Sequence, residues 1–358
     1  MKKILISTYL FAIFSLLLIS SCSDDSTSPN VNTPLVAGYD STESSESMTL
    51  ATLSYVNENN SAYLRDSLII QLANTTYATG GKWKLAWGPA LSPDGGNLMF
   101  AAKDTTTEPD RYTIAIRGTD WCFPFNWKED LGAIEFDRYP YGGSPADSIS
   151  HGALFGLQTL LALRDSSTGK LLSEYLTGIT AASNQMYITG HSLGGMLATV
   201  YSAWFLDNGF GSKFKVKTYT FAAPSCGNEQ FVQHYTQIFS AASAESHRVE
   251  NPKDLVHYFN GDLAYVLANN IPTAFPFKVE VVFIGIKSYF EIYNMVYRHV
   301  GERSALGTIN PADCNYPSGT LDQYECWVAF EHTTSTYLTL LNAPQVNFST
   351  VTCKWILP

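Results

Sequence analysis

The feature that most constrains this chain is a short glycine-rich turn between an apolar strand and an apolar helix. Met186 to Thr189 reads as a buried strand, and Gly190-His191-Ser192-Leu193-Gly194-Gly195 follows at once. Leu193 to Leu206 is then helical and apolar on nearly every face. A serine hydroxyl is a poor nucleophile until it stands exposed beside a base. A sharp strand-to-helix turn lifts its Oγ clear of a sheet, and glycines two residues either side leave room for that turn. The helix start aims free N–H groups at any developing oxyanion. A bare G-x-S-x-G pattern is weak evidence; the strand before it and the helix after it give it weight.

The flanking sequence supports the same architecture. Ala62 to Ala73 has helical spacing, and Lys82 to Trp87, Asn97 to Ala102 and Arg111 to Arg117 read as short strands. Ile149 to Leu163, Lys170 to Ile179 and Asn228 to Phe239 read as helices, with strands at Phe214 to Ala222 and His247 to Glu250. This alternation predicts an α/β protein with a mostly parallel sheet covered on both faces. Ile271 to Val300 is apolar without a clear period. No linker interrupts residues 49–358, so one domain is expected there.

The N-terminus reads differently. A basic Met1-Lys2-Lys3 start precedes the apolar stretch Ile4 to Ile19 and then Ser20-Ser21-Cys22. This pattern is a signal peptide over residues 1–21, with Cys22 placed for lipidation at the new N-terminus. Ser23-Asp24-Asp25 resembles surface-export tags of some Gram-negative lipoproteins. The expectation is an exported protein held to the bacterial outer membrane by its lipid. Residues 22–48, rich in Ser, Thr, Asp and Pro, read as the anchor and a flexible tether. A net charge of -10 argues against nucleic acid as a partner. Only one long apolar run occurs, which excludes a polytopic membrane protein.

Apart from Cys22 there are Cys122, Cys226, Cys314, Cys326 and Cys353, an odd number, so at least one is free. Cys314 and Cys326 flank a turn-rich loop and are the expected disulfide. No metal-ligand spacing occurs, and neither metal nor cofactor is expected.

The turn GHSLGG resembles that of the class 3 lipases, the fungal-type triacylglycerol lipases of α/β-hydrolase fold. Further segments fit in order. Ile114 to Thr119, with Trp127 and Asp130-Leu131, resembles the family's FRGT…W..DL. Ser150-His151-Gly152 with Phe155 loosely resembles its H-x-GF segment. Thr220 to Pro224 and Gly227-Asn228 resemble TFGxPxxGN, and Arg248 to Val256 resembles RVxNxxDxVP.

The resemblance implies a serine carboxylic-ester hydrolase acting on lipid esters. Ser192 would be the nucleophile, and Asp254 would orient the histidine. The backbone N–H groups of Thr119 and Leu193 would form the oxyanion hole. Arg117 is expected to brace its loop. For the base, His299 and His332 both follow Asp254, whereas His257 stands too near it in sequence. His299 lies in a YxHVG-like segment, and His332 precedes a short amphipathic helix, resembling the family's HxxxxYL ending. His332 is the expected base. Asp120 to Trp127 would be a lid, and Pro124 argues for a short cover. Residues 257–330 are expected to add core and a wall of the acyl site. Phospholipase A1 or feruloyl-type esterase activity fits the same motifs, and a non-catalytic surface binding module is the reading of a different class. The sequence carries no sign of oligomeric state.

Overall fold

The computed structural model describes residues 38–56, 61–118, 135–180 and 184–347. Two helices come first, α1 (Ser41–Leu53) and α2 (Ser61–Leu72). Three strands follow, β1 (Trp83–Leu91), β2 (Leu98–Asp104) and β3 (Arg111–Ile116), and then a small ribbon of β4 (Phe136–Arg138) with β5 (Ser148–Ser150). The helices α3 (His151–Ala162) and α4 (Leu172–Thr177) lead to β6 (Asn184–His191) and α5 (Leu193–Asp207). Next come β7 (Phe214–Phe221), α6 (Glu229–Ala242), β8 (Glu245–Glu250), α7 (Leu263–Asn269) and α8 (Phe277–Ile292). The described chain ends with β9 (Glu302–Ala305), α9 (Leu321–His332) and α10 (Thr334–Leu340).

Seven strands form the central sheet in the order β1-β2-β3-β6-β7-β8-β9. The first three pair antiparallel, and every pairing from β3 to β9 is parallel. Alternation along the strands divides the core. Ile114, Ile116, Met186, Ile188 and Val216 face α3, α5 and α6 through Leu157, Leu197 and Phe231. Ala115, Tyr187, Tyr219 and Phe221 face α1, α2 and α10 through Met48, Leu64 and Leu338. The sheet is thus covered on both faces, as the alternating sequence predicts. Parallel register brings the carboxyl ends of β6, β7 and β8 to one edge, with His191 beside Phe221 and Phe221 beside Val249. In such sheets the site lies outside that edge.

The expected tether needs correction. Residues 41–48 are not linker: they are the first half of α1, and Met48, Leu50, Ala51 and Leu53 are fully buried. Asp40 caps this helix by accepting from the N–H groups of Thr42 and Glu43. Two glutamates and a backbone carbonyl of this stretch are held by the sheet. Glu43 accepts from Tyr187 Oη at 2.7 Å, Tyr219 Oη at 2.9 Å and Lys217 Nζ at 2.9 Å. Glu46 pairs with Arg111, and the Ser47 carbonyl accepts from Thr189 Oγ1 at 3.2 Å. The domain therefore begins no later than Asp40. Cys22 and the expected signal peptide lie outside the described residues.

Residues 257–330 build a third apolar core of their own. Phe283 on α8 and Val266 on α7 pack with Leu255, Tyr258, Tyr324 and Val328. Leu255 is the neighbour of Asp254, and Tyr324 and Val328 belong to the helix that ends in His332, so this core braces both. Cys314 and Cys326 form a disulfide that fastens the preceding loop to α9. Cys226 is a buried free thiol; Cys122 and Cys353 lie outside the described residues.

Candidate active site

Ser192 stands between β6 and α5 with φ 61° and ψ -132°, a conformation that costs a non-glycine residue about 1–3 kcal/mol. The surroundings hold it there. Its N–H donates to Phe221 O at 2.8 Å, and its carbonyl accepts from the N–H of Gly195 at 2.9 Å. A Cβ at Gly190 would lie 2.1 Å from Gly194 O, and one at Gly194 would lie 2.3 Å from Ile116 O. Both glycines are therefore demanded by close backbone approach, which lets the helix start abut the end of β3. Leu193 is the first residue of α5. Its N–H thus belongs to the first-turn donors that a helix leaves without an internal partner.

His332 joins two other elements to this turn. Its Nε2 lies 2.9 Å from Ser192 Oγ, and its Nδ1 lies 3.1 and 3.0 Å from Asp254 Oδ1 and Oδ2. Asp254 follows β8 and is fully buried. It accepts further from the Val256 N–H at 2.8 Å and from Tyr337 Oη at 2.8 Å. Burial alone would raise the pKa of this carboxyl, but the charge of His332 and these hydrogen bonds outweigh burial and hold it below the usual value. His332 is the last residue of α9, and Thr333 then caps α10. The short helix expected after His332 is present, and a second helix ends on His332, so the base stands at a helix-to-helix junction.

The other expected residues fall as follows. His299 lies against Gly261, whose added Cβ would sit 3.4 Å from its Nε2. His257 is buried beside Glu250, 3.7 Å away, among Arg248 and Arg303, and burial pushes its pKa down. Arg117 binds the carbonyls of Gly95 and Gly96, bracing that loop. Thr119 and the expected lid, Asp120 to Trp127, lie outside the described residues.

Several neighbours were not singled out by the sequence. Tyr337 shares Asp254 with His332, and its only signal was the Tyr of the HxxxxYL resemblance. His191 packs on His332 with ring centroids 4.8 Å apart. Its Nδ1 is 3.1 Å from Tyr55 Oη. Burial first, then the nearby charge of His332, push the His191 pKa down to about 3. It stays neutral and does not oppose a cation on its neighbour.

This geometry invites comparison with known proteins. Residues 113–262 match the family model for lipase (class 3). That span holds most of β3, the serine turn and Asp254, and it ends before His332. A lipase of Caenorhabditis elegans is 36% identical over 83 residues, which is 22% of this chain and 22% of the worm protein. Phospholipase A1-II 1 of Oryza sativa subsp. indica is 35% identical over 176 residues, 47% of this chain and 42% of the rice protein. The chain thus spans less than half the length of either relative. Among solved structures, M37 lipase superposes with a TM-score of 0.68 at 21% identity, covering 85% of this chain and 93% of that one. The fold is the α/β-hydrolase fold, as the class 3 lipase resemblance implied.

Proposed function

We propose that this protein is a serine carboxylic-ester hydrolase of lipid esters, working through Ser192, His332 and Asp254. The observation that carries the reading is the double engagement of His332, with Ser192 on one ring nitrogen and a buried carboxylate on the other. In that arrangement Ser192 Oγ attacks the acyl carbonyl while Nε2 takes its proton. Asp254 fixes the tautomer and stabilises the imidazolium. The Leu193 N–H, and by family resemblance that of Thr119, receive the oxyanion. His332 then returns the proton to the departing alcohol, leaving an acyl group on Ser192. Water activated by the same nitrogen releases the acid and frees the serine.

The lipase (class 3) match supports triacylglycerol or similar esters as substrate. The alignment with the rice enzyme supports phospholipase A1 as a second reading. A p-nitrophenyl ester series from two to sixteen carbons, run beside phospholipid, separates the two. Absence of Ser192 labelling by a fluorophosphonate in folded protein would overturn both and favour a binding module. Anchoring belongs to the same proposal: cleavage before Cys22 and its acylation would hold the enzyme at the outer membrane. No helix among the described residues is long and apolar enough to cross a membrane. Mass spectrometry finding an unmodified Cys22 in the mature protein would refute the anchor.

A further inference from the structure

The acid and the base of the site come from separate elements. Asp254 sits in the loop after β8, and His332 ends α9. Their relative placement must hold within a fraction of an ångström, because a misplacement of about 1 Å costs on the order of 10²-fold in rate. One buried side chain joins the two elements.

Asn251 is completely inaccessible. Its Nδ2 donates to the Glu331 backbone carbonyl at 3.0 Å and to Glu331 Oε2 at 2.7 Å. Its Oδ1 accepts from the Lys253 N–H at 3.0 Å, and its own carbonyl accepts from the Asp254 N–H at 2.9 Å. Its N–H donates to Tyr337 Oη at 3.2 Å, and that hydroxyl donates to Asp254 Oδ2. Every polar group of Asn251 thus ends on the acid's loop or on the helix pair around the base. The amide orientation is fixed, since the Lys253 N–H needs an acceptor and the Glu331 oxygens need donors.

We propose that Asn251, with Glu331 as its acceptor, is a positioning residue that sets the spacing of Asp254 and His332. The inference rests on the serine-hydrolase reading given above. Glu331 suits the part because it is buried. Burial pushes its pKa up, the Asn251 hydrogen bond pulls against that rise, and the charge of Asp254 adds to it, leaving the carboxyl at about 8.

The test uses the mature chain and p-nitrophenyl butyrate, with fold checked by near-ultraviolet dichroism. Asn251→Asp keeps the shape but turns both donors into acceptors, so the Glu331 backbone carbonyl loses its donor and a second carboxyl faces the Glu331 side chain. It is expected to lower kcat about 10²-fold while KM stays within about twofold. The double variant Asn251→Asp/Glu331→Gln restores an amide-to-carboxyl bond with the roles exchanged, and should recover about tenfold of that loss. Glu331→Ala, which leaves the backbone bond in place, should lower kcat about tenfold with KM unchanged and serves if Asn251→Asp does not fold. A folded Asn251→Asp or Glu331→Ala with wild-type kcat would overturn the proposal, as would a double variant that recovers nothing. A wild-type protein that neither hydrolyses the ester nor takes up fluorophosphonate would instead sink the hydrolase reading itself.

Discussion

Replacing Glu43 by alanine asks whether α1 is part of the folded domain or the end of a tether. The carboxylate receives two tyrosine hydroxyls and one ammonium from β6 and β7. Tyr187 and Tyr219 are 3% and 0% exposed. Their hydroxyls would lose a charged acceptor in a place that water reaches poorly. Leaving a buried donor unsatisfied costs about 1–3 kcal/mol. The lower half of that range applies, because Glu43 is itself 19% exposed and some water enters the place it vacates; the Asp40 N–H is a donor to Tyr219 Oη and does not replace the lost acceptor. Lys217 is partly exposed and rehydrates, so its ion pair adds little. The sum is about 2–4 kcal/mol, or roughly 3–6 °C in Tm for a domain of this size. Glu43→Gln, which keeps one acceptor oxygen, should lose about half as much. Calorimetry on the purified protein measures both. A Glu43→Ala protein melting within 1 °C of wild type would refute the docking of this helix.

Three further outcomes follow from the site. His332→Ala should lower turnover on a soluble ester by about 10⁴–10⁶-fold with folding intact, as for a base in a unit of three; near-wild-type turnover would remove His332 from the mechanism. Gly194→Ala drives a Cβ into the Ile116 carbonyl, and should cost about 3 kcal/mol in urea unfolding and abolish ester turnover. Glu331 predicts a pH effect on stability. Folded, it keeps its proton up to about pH 8; unfolded, it loses it near its ordinary value of 4.5. Folding therefore takes up a proton between these limits, and stability falls as pH rises through them. Glu331→Gln should flatten that decline, and an unchanged slope in urea titrations from pH 5 to 8 would contradict the burial argument.

What was legible in the sequence was whatever rests on backbone geometry and apolar periodicity. The GHSLGG turn combines both: only glycine fits at positions 190 and 194, and the strand and helix on either side are continuous apolar runs. The parallel sheet followed from the alternation of such runs. Residues 41–48 misled because they are buried through hydrogen bonds rather than hydrophobicity. Ser44, Glu46 and Ser47 look like linker until the tyrosines, Arg111 and Thr189 that meet this helix are seen. Helix α8 had no readable period because it is apolar on both sides: Val279, Phe283 and Ile286 are buried, while Phe277, Val281 and Ile284 are exposed. Asn251, Glu331 and Tyr337 are ordinary polar residues in one dimension. Their meeting beside Asp254 depends on chain separations of 80 and 83 residues closing in space.

Helix α1 also bears on how the protein comes to be folded. Ser45 near its start donates to the Leu341 carbonyl, a contact between positions 296 residues apart. Its sheet partners on β6 and β7 are themselves well over a hundred residues downstream. A chain synthesised from its N-terminus must hold this helix without its partners on β6 and β7 until more than a hundred further residues have emerged, and without Leu341 for longer still. Contacts of such separation are formed late and slowly. The helix is suited to waiting, since Ser, Thr and Glu fill much of the face that it will bury, leaving little to stick to other chains in the interval. The same polar face that hides the helix from a reading of composition also keeps the unfinished chain soluble.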